Sequence, residues 1–294
     1  MAKSKVYFTR DISPEKVIEM YKLLGIELPG RVAVKVHSGE KGNQNYLHPE
    51  FMRPMVEYVN GRIVETNTAY GGARDYTKDH RVLLADHGWS HYFDVDIMDE
   101  EGDFEIEVPN GKYLKKNRIG NHMKNYDSML ILAHFKGHPV GGFGGALKQL
   151  SIGCASAEGK CRIHSAGKVD DRSCWSDGVM ASKEPFMESM ADAATSVVKY
   201  FKGNMAFVNI MCNLSVDCDC CAVAEDPCMK DIGILSSLDP VALDRACMDL
   251  VIASEDPGRD HFLERVNSRV GQRTISAAAE LGAGTTEYEL IEVK

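Results

Sequence analysis

The chain has 294 residues, 44% of them apolar, with 43 acidic against 34 basic side chains and a formal net charge of −9. That length suits one large α/β domain or two modest ones, and a net acidic charge with no Lys/Arg run gives nucleic-acid binding no electrostatic support. No apolar run approaches the roughly 18 residues a membrane span needs, and no apolar stretch follows the first lysines, so a cytoplasmic protein with no membrane partner is expected.

In chain order, KVYFTR at 5–10 is β-like. SPEKVIEMYKLLG then reads as a helix, with Ser13 as cap, Pro14 in the first turn and apolar residues at helical spacing up to Gly25. RVAVKVH at 31–37 alternates like a strand, PEFMRPMVEYVNG is helical, and RIVETN at 62–67 is the next strand. YTKDHRVLLADHGW predicts a helix and HYFDVDIM a strand. FEIEVPNGKYLKK, around Asn110-Gly111, predicts a hairpin added to the sheet. DSMLILAHF at 127–135 is the clearest buried strand and runs into KGHPVGGFGGALKQLSIG; residues 155–180 read as polar and irregular. KEPFMESMADAATSVVKYFKG is a long helix, NMAFVNIMCNLS and DIGILSS are strands, and DPVALDRACMDLVIAS is a helix capped by Asp239. Two short helices and the strand YELIEV close the pattern. The fold class is therefore α/β, with mainly parallel sheets, crossover helices and two halves, 1–140 and 141–294, packed as one unit. Function is expected at the carboxyl ends of the strands.

Nine cysteines in a reducing compartment point to metal ligation, catalysis or packing before disulfides. Cys218, Cys220, Cys221 and Cys228 form C-x-C-C-x6-C, which is neither a zinc-ribbon pair nor a ferredoxin run. In an extended segment Cys218 and Cys220 face one way and Cys221 another, so further ligands are needed, and Cys154, Cys161 and His164 follow the other glycine-rich strand end. Cys212 and Cys247 read as core residues.

The segment AHFKGHPVGGFGGALKQ offers backbone N–H groups at Gly141, Gly142, Gly144 and Gly145 for an anion, with Lys136 and Lys148 adding charge; a tight turn with close helix packing explains it equally. It matches neither nucleotide-binding glycine pattern. His138 and His134 flank this strand end. Lys35, His37, Glu40 and Asn43 leave the second strand, and Asn67 and Arg74 leave the third. His37, Lys136 and His138 are the acid–base candidates; Lys35, Asn67, Arg74, the four glycines and Lys148 are the candidate binding groups.

KVHSGEKGNQNYLHPEFMRP, HFKGHPVGGFGGALKQLSIGCASAEGK, CDC, DIGILSSLDPVALDRACMDL and LGAGTTEYELI, in that order, resemble the domain of unknown function 362 family. Many relatives carry a two-cluster ferredoxin insert after the segment ending at His164. This chain is a short form, with Cys174 the only cysteine between His164 and Pro185. The resemblance implies a working site at Lys35, His37, Lys136, His138, Lys148, Cys154, Lys160, His164, Cys218, Asp219 and Cys220, in an anaerobic, electron-transfer setting.

The expected function is an iron–sulfur or other thiolate-metal protein of redox character, an oxidoreductase in the enzymatic case. Its metal candidates are Cys154, His164, Cys218, Cys220 and Cys221, for a four-iron cluster or a thiolate-bound divalent ion. A small anionic molecule and a ferredoxin-like electron carrier are the expected partners. Two rivals stand beside it: an enzyme using His/Lys acid–base groups on a small anion, metal-free or with a single metal, and a non-catalytic carrier of metal or cluster.

Overall fold

The computed structural model describes residues 3–294. The first half supplies β1 (Ser4–Thr9), α1 (Pro14–Lys22), β2 (Val32–Lys35), α2 (Pro49–Tyr58), β3 (Arg62–Glu65), α3 (Thr77–Asp86), the one-turn α4 (Trp89–Tyr92), β4 (Asp96–Ile97), β5 (Asp103–Glu107), β6 (Lys116–Gly120), β7 (Ser128–His134) and β8 (Lys136–His138). The second supplies β9 (Gly142–Gly144), α5 (Ala146–Ser151), α6 (Ala157–His164), α7 (Lys183–Tyr200), β10 (Met205–Met211), β11 (Gly233–Ser237), α8 (Pro240–Ala253), α9 (Arg259–Ser268), α10 (Arg273–Glu280) and β12 (Tyr288–Glu292).

Eight strands form one sheet in the order β12-β1-β11-β10-β7-β2-β3-β4, parallel at every pairing except the two made by β11. β7 and β10 lie at its centre and are buried along their whole length, which is why both read as unbroken apolar runs. Met129, Ile131 and Ala133 of β7 face a core made with helices α5, α7, α8, α9 and α10. Leu130 and Leu132 face the opposite core, made with α1, α2 and Trp89. The helices before β5 thus lie on one face of the sheet and those after β9 on the other, with the β5–β6 hairpin packed against α7 on the second face.

Local capping explains the helix starts. Ser13 accepts a hydrogen bond from Lys16 N at 3.1 Å, and Asp239 accepts from Val241 N and Ala242 N at 2.9 and 3.0 Å.

Three sequence expectations change. The hairpin β5–β6 pairs only with itself, and its connection is a longer loop than Asn110-Gly111 implied. Asp192 of α7 organises that loop by accepting from Lys112 N, Tyr113 N and Leu114 N at 2.9, 2.7 and 2.8 Å. HYFDVDIM contributes only Asp96–Ile97 as strand, because Trp89–Tyr92 coils into α4 to bury Trp89 completely. Finally, residues 157–164 form α6, capped by Ser156 Oγ accepting from Gly159 N at 3.0 Å. Among the described residues no helix is long and apolar enough to cross a membrane.

Candidate functional site

The loops that leave β2, β3, β7 and β10 at their carboxyl ends meet around a cavity of about 260 Å³. Lys35, Arg74, Lys136, Lys148 and Lys160 line it, with His37, His138 and His164, the thiols Cys220 and Cys221, and Glu65 as the one lining carboxylate. Five cations against one carboxylate make the wall cationic even after the buried pairs are counted.

Those pairs set which charges are free. Lys35 Nζ meets Glu65 Oε2 at 2.5 Å, and Arg74 lies 3.4 Å from Glu40 and 3.9 Å from Glu65. Lys136 Nζ meets Asp219 Oδ2 at 2.8 Å, and the other Asp219 oxygen accepts from His134 Nδ1 at 2.8 Å. Burial pulls the Lys136 ammonium down, yet Asp219 and Cys218 outweigh it and hold the group above its usual range. That pairing favours the ammonium form of Lys136, one of the expected acid–base groups.

Lys136 and His138 share one face of the β8–β9 hairpin, and Gly137 between them turns its bare face to the thiol loop. Gly137 N donates to Ser215 O at 2.8 Å, and a Cβ here would sit 2.5 Å from Val216 Cα. A Gly137→Ala variant is expected to lose about 1–3 kcal/mol of stability, because backbone must move away from backbone. It is also expected to part Cys220 from His138, which urea unfolding together with metal content would read.

Cys218, Cys220 and His138 are positioned to bind a metal, with one ligand atom of each within 4.8 Å of the others. Cys220 Sγ lies 3.6 Å from His138 Nε2, and Lys148 Nζ lies 3.6 Å from Cys218 Sγ. His138 Nδ1 accepts from Val140 N and Gly141 N at 3.1 and 2.7 Å, so the metal-free neutral ring carries its proton on Nε2, toward Cys220. His37 repeats the device, its Nδ1 accepting from Gly39 N at 3.1 Å. Burial first, and nearby cations second, hold both rings well below the usual imidazole range, so each is a neutral N–H donor. A second donor group, Asp96, Glu100 and His122, is occupied by its own pairs: His122 Nδ1 to Asp96 at 2.7 Å and Arg81 to Glu100 at 2.5 Å.

The thiol loop is clamped from the β2 side. Asn43 Nδ2 donates to Cys218 O and Cys221 O at 3.3 and 2.9 Å, Gln44 to Ala224 O at 2.8 Å, and Asn45 to Glu225 O at 2.8 Å. Glu40 N donates to Asp219 O at 2.7 Å.

Other expected residues fall outside the three-donor group. Cys154 is fully buried in the core, its sulfur 4.0 Å from that of Met129, and burial pushes its thiol up to about 12. Cys221 and His164 line the cavity without joining the group. Asn67 does not line the cavity; its Nδ2 donates to Thr77 Oγ1 at 2.9 Å and its backbone N–H to Asp99 at 2.9 Å. Gly144 and Gly145 line the cavity and Gly141 and Gly142 do not. Of the backbone N–H groups expected to take an anion, that of Gly141 serves His138, and at the helix start that follows the glycines Ala146 N and Leu147 N each donate to Asp244 at 2.9 Å. An internal carboxylate fills the place foreseen for a ligand. Glu65, Thr66 and Trp175 line the cavity without having been singled out, since a lone polar residue at a strand end or in an irregular stretch gives no pattern.

The sequence profile of the family described as Domain of unknown function (DUF362) matches residues 32–249. No curated protein matches the chain. Among solved structures, the lactate racemase apoprotein from Thermoanaerobacterium thermosaccharolyticum is similar with a TM-score of 0.41 and 14% identity, over 69% of this chain and 50% of that one. A protein from Thermotoga maritima is similar with a TM-score of 0.41 and 11% identity, over 91% of this chain and 59% of that one. The chain thus spans less than two thirds of the length of either structure.

Proposed function

Since the chain belongs to the domain of unknown function 362 family, which is defined by sequence and not by activity, we propose from the cavity itself that it is a thiolate-metal enzyme acting on a small anionic substrate. The observation that carries this reading is the juxtaposition of the Cys218–Cys220–His138 donors with a cavity wall bearing five cations. Two thiolates and an imidazole suit a borderline-soft divalent ion such as zinc, nickel or iron(II). Bound there, the ion would supply Lewis-acid or redox chemistry, and Cys218, Cys220 and His138 would hold it through their deprotonated sulfurs and Nε2. Lys148, beside Cys218, stabilises the resulting negative charge.

This donor set favours a single ion over a four-iron cluster, because Cys154 sits in the core and His164 outside the group. Burial favours catalysis over carriage: Cys218 and His138 are buried, and Cys220 is half-buried at the cavity wall. Lys35, Arg74, Lys148 and the Nε2–H group of His37 are the natural partners of carboxylate or phosphate oxygens.

Elemental analysis of protein purified without oxygen tests the reading. Near-stoichiometric zinc, nickel or iron is expected in the parent protein, and its loss in the Cys218→Ser, Cys220→Ser double variant. Metal-free parent protein with reduced thiols sinks the metal assignment. Failure of oxalate or phosphate to raise the melting temperature sinks the anion assignment.

A further inference from the structure

Lys160 differs from Lys35, Lys136 and Arg74, each of which faces a carboxylate. Buried on α6 and lining the cavity, it has no carboxylate oxygen within 4.0 Å among the described residues. Its Nζ donates to Ala155 O at 2.7 Å and to Thr66 Oγ1 at 2.6 Å. The Thr66 hydroxyl spends its own hydrogen on Gly153 O at 3.0 Å, so both partners of Lys160 act only as acceptors. Two hydrogens are thereby placed, and a neutral amine has two. The remaining tetrahedral position holds a lone pair in the neutral form and an unmatched N–H in the ammonium form.

Electrostatics agrees with this count. Burial lowers the Lys160 ammonium to about 8; Asp99 opposes that fall, Lys35 adds to it, and Glu65 and Arg74 act in opposite directions. Cys154, His80 and His164 face the amine as uncharged groups, the first because burial raises its thiol and the histidines because burial lowers their rings. One turn along α6, His164 lines the same cavity. Its Nδ1–H donates to Lys160 O at 2.8 Å, which leaves the lone pair on Nε2. An amine that deprotonates readily therefore stands one helical turn from a neutral imidazole whose Nε2 can accept a hydrogen bond.

We propose that Lys160 forms an imine with the carbonyl carbon of a small anionic oxo compound, 2-oxo carboxylates being the substrate class. The Nζ lone pair forms the new C–N bond while the carbonyl π pair moves to oxygen, and one of the two amine protons transfers to that oxygen to give a neutral carbinolamine. The nitrogen lone pair then expels the hydroxyl, which takes the second nitrogen proton and leaves as water. Amine and carbonyl give imine and water, with no oxidant or reductant. Arg74 and Lys35 are the partners for the substrate carboxylate. This rests on the reading of the cavity as an anion site and adds to it a carbonyl and a nucleophile.

The test is reductive trapping of the full chain with pyruvate, or glyoxylate, and sodium cyanoborohydride, followed by peptide mass mapping. A single reduced adduct on the Lys160 peptide is expected, absent in Lys160→Arg, with its rate rising with pH and levelling off above about 8. No adduct, or adducts scattered over other lysines, overturns the proposal. If Lys160→Arg fails to fold, the mapped site in the parent chain decides alone. Oxalate, an anion without an electrophilic carbonyl, separates the two readings: a melting temperature raised by oxalate without trapping removes the amine and leaves the anion site. No response to oxalate and no trapping removes both.

Discussion

Replacing Asp219 by alanine is expected to lower the unfolding free energy by about 3–5 kcal/mol, the size typical of removing one partner of a buried ionic network. The carboxylate is fully buried and serves Lys136 and His134 at once. His134 Nδ1 lies 2.8 Å from Asp219 Oδ1 and its Nε2 2.7 Å from Cys212 O. Lys136 is the buried cation that faces the carboxylate. Alanine would leave that charge out of water with no counter-charge, and Asp219→Asn would keep shape and remove charge. Urea unfolding should show a lower midpoint for both, with the alanine variant lower; a midpoint near that of the parent would mean Lys136 is solvated.

The second large effect is expected at Glu65, whose loss should cost about 3 kcal/mol and flatten the acid limb of the stability profile. Glu65 Oε1 accepts from Ser38 N and Ser38 Oγ, both at 2.8 Å, while Oε2 meets Lys35. Burial pushes the carboxyl up, but Lys35 and Arg74 outweigh it and hold it down to about 2 against a usual 4.5. A carboxyl more acidic in the folded than in the unfolded chain stabilises the fold above its unfolded pKa. That contribution is lost as pH falls from about 4.5 toward about 2. Parent protein should therefore lose stability through that window, and Glu65→Gln should start lower and change less across it. Unfolding curves between about pH 6 and about pH 3 check the sign.

Much of this was legible in sequence because it is local. The apolar run at 128–134, the Asp239-capped helix and the Ser13–Pro14 start declare themselves through periodicity and caps within a few residues. The family resemblance, carried by motifs spread over the chain, is borne out by the match to residues 32–249. Helix α6 was hidden because Gly159, Lys160 and Arg162 dilute its apolar signal; Lys160 and His164 face the cavity, so those positions are spent on the site. The Cys-x-Cys pair was visible as a thiol site, but its third donor was not. His138 reaches Cys220 only because β8 and β9 fold back as a hairpin and Gly137 lets the loop through. The filled helix start was equally beyond reach, since Asp244 lies about a hundred residues from the N–H groups it accepts from, and no spacing rule spans that distance.

The strand order carries a consequence for how the chain is made. β1 is synthesised early, yet its neighbours β11 and β12 are among the last strands to emerge. The growing chain can pair β2, β3, β4 and β7 in turn, while β1 must wait, unpaired, for most of translation. Closing so long a loop is entropically slow, and an unpaired strand is open to misassociation meanwhile. Lys3 and Lys5, charges that discourage edge-to-edge pairing, flank the start of this strand. β1 therefore joins the sheet only through strands distant from it in sequence, β11 and β12.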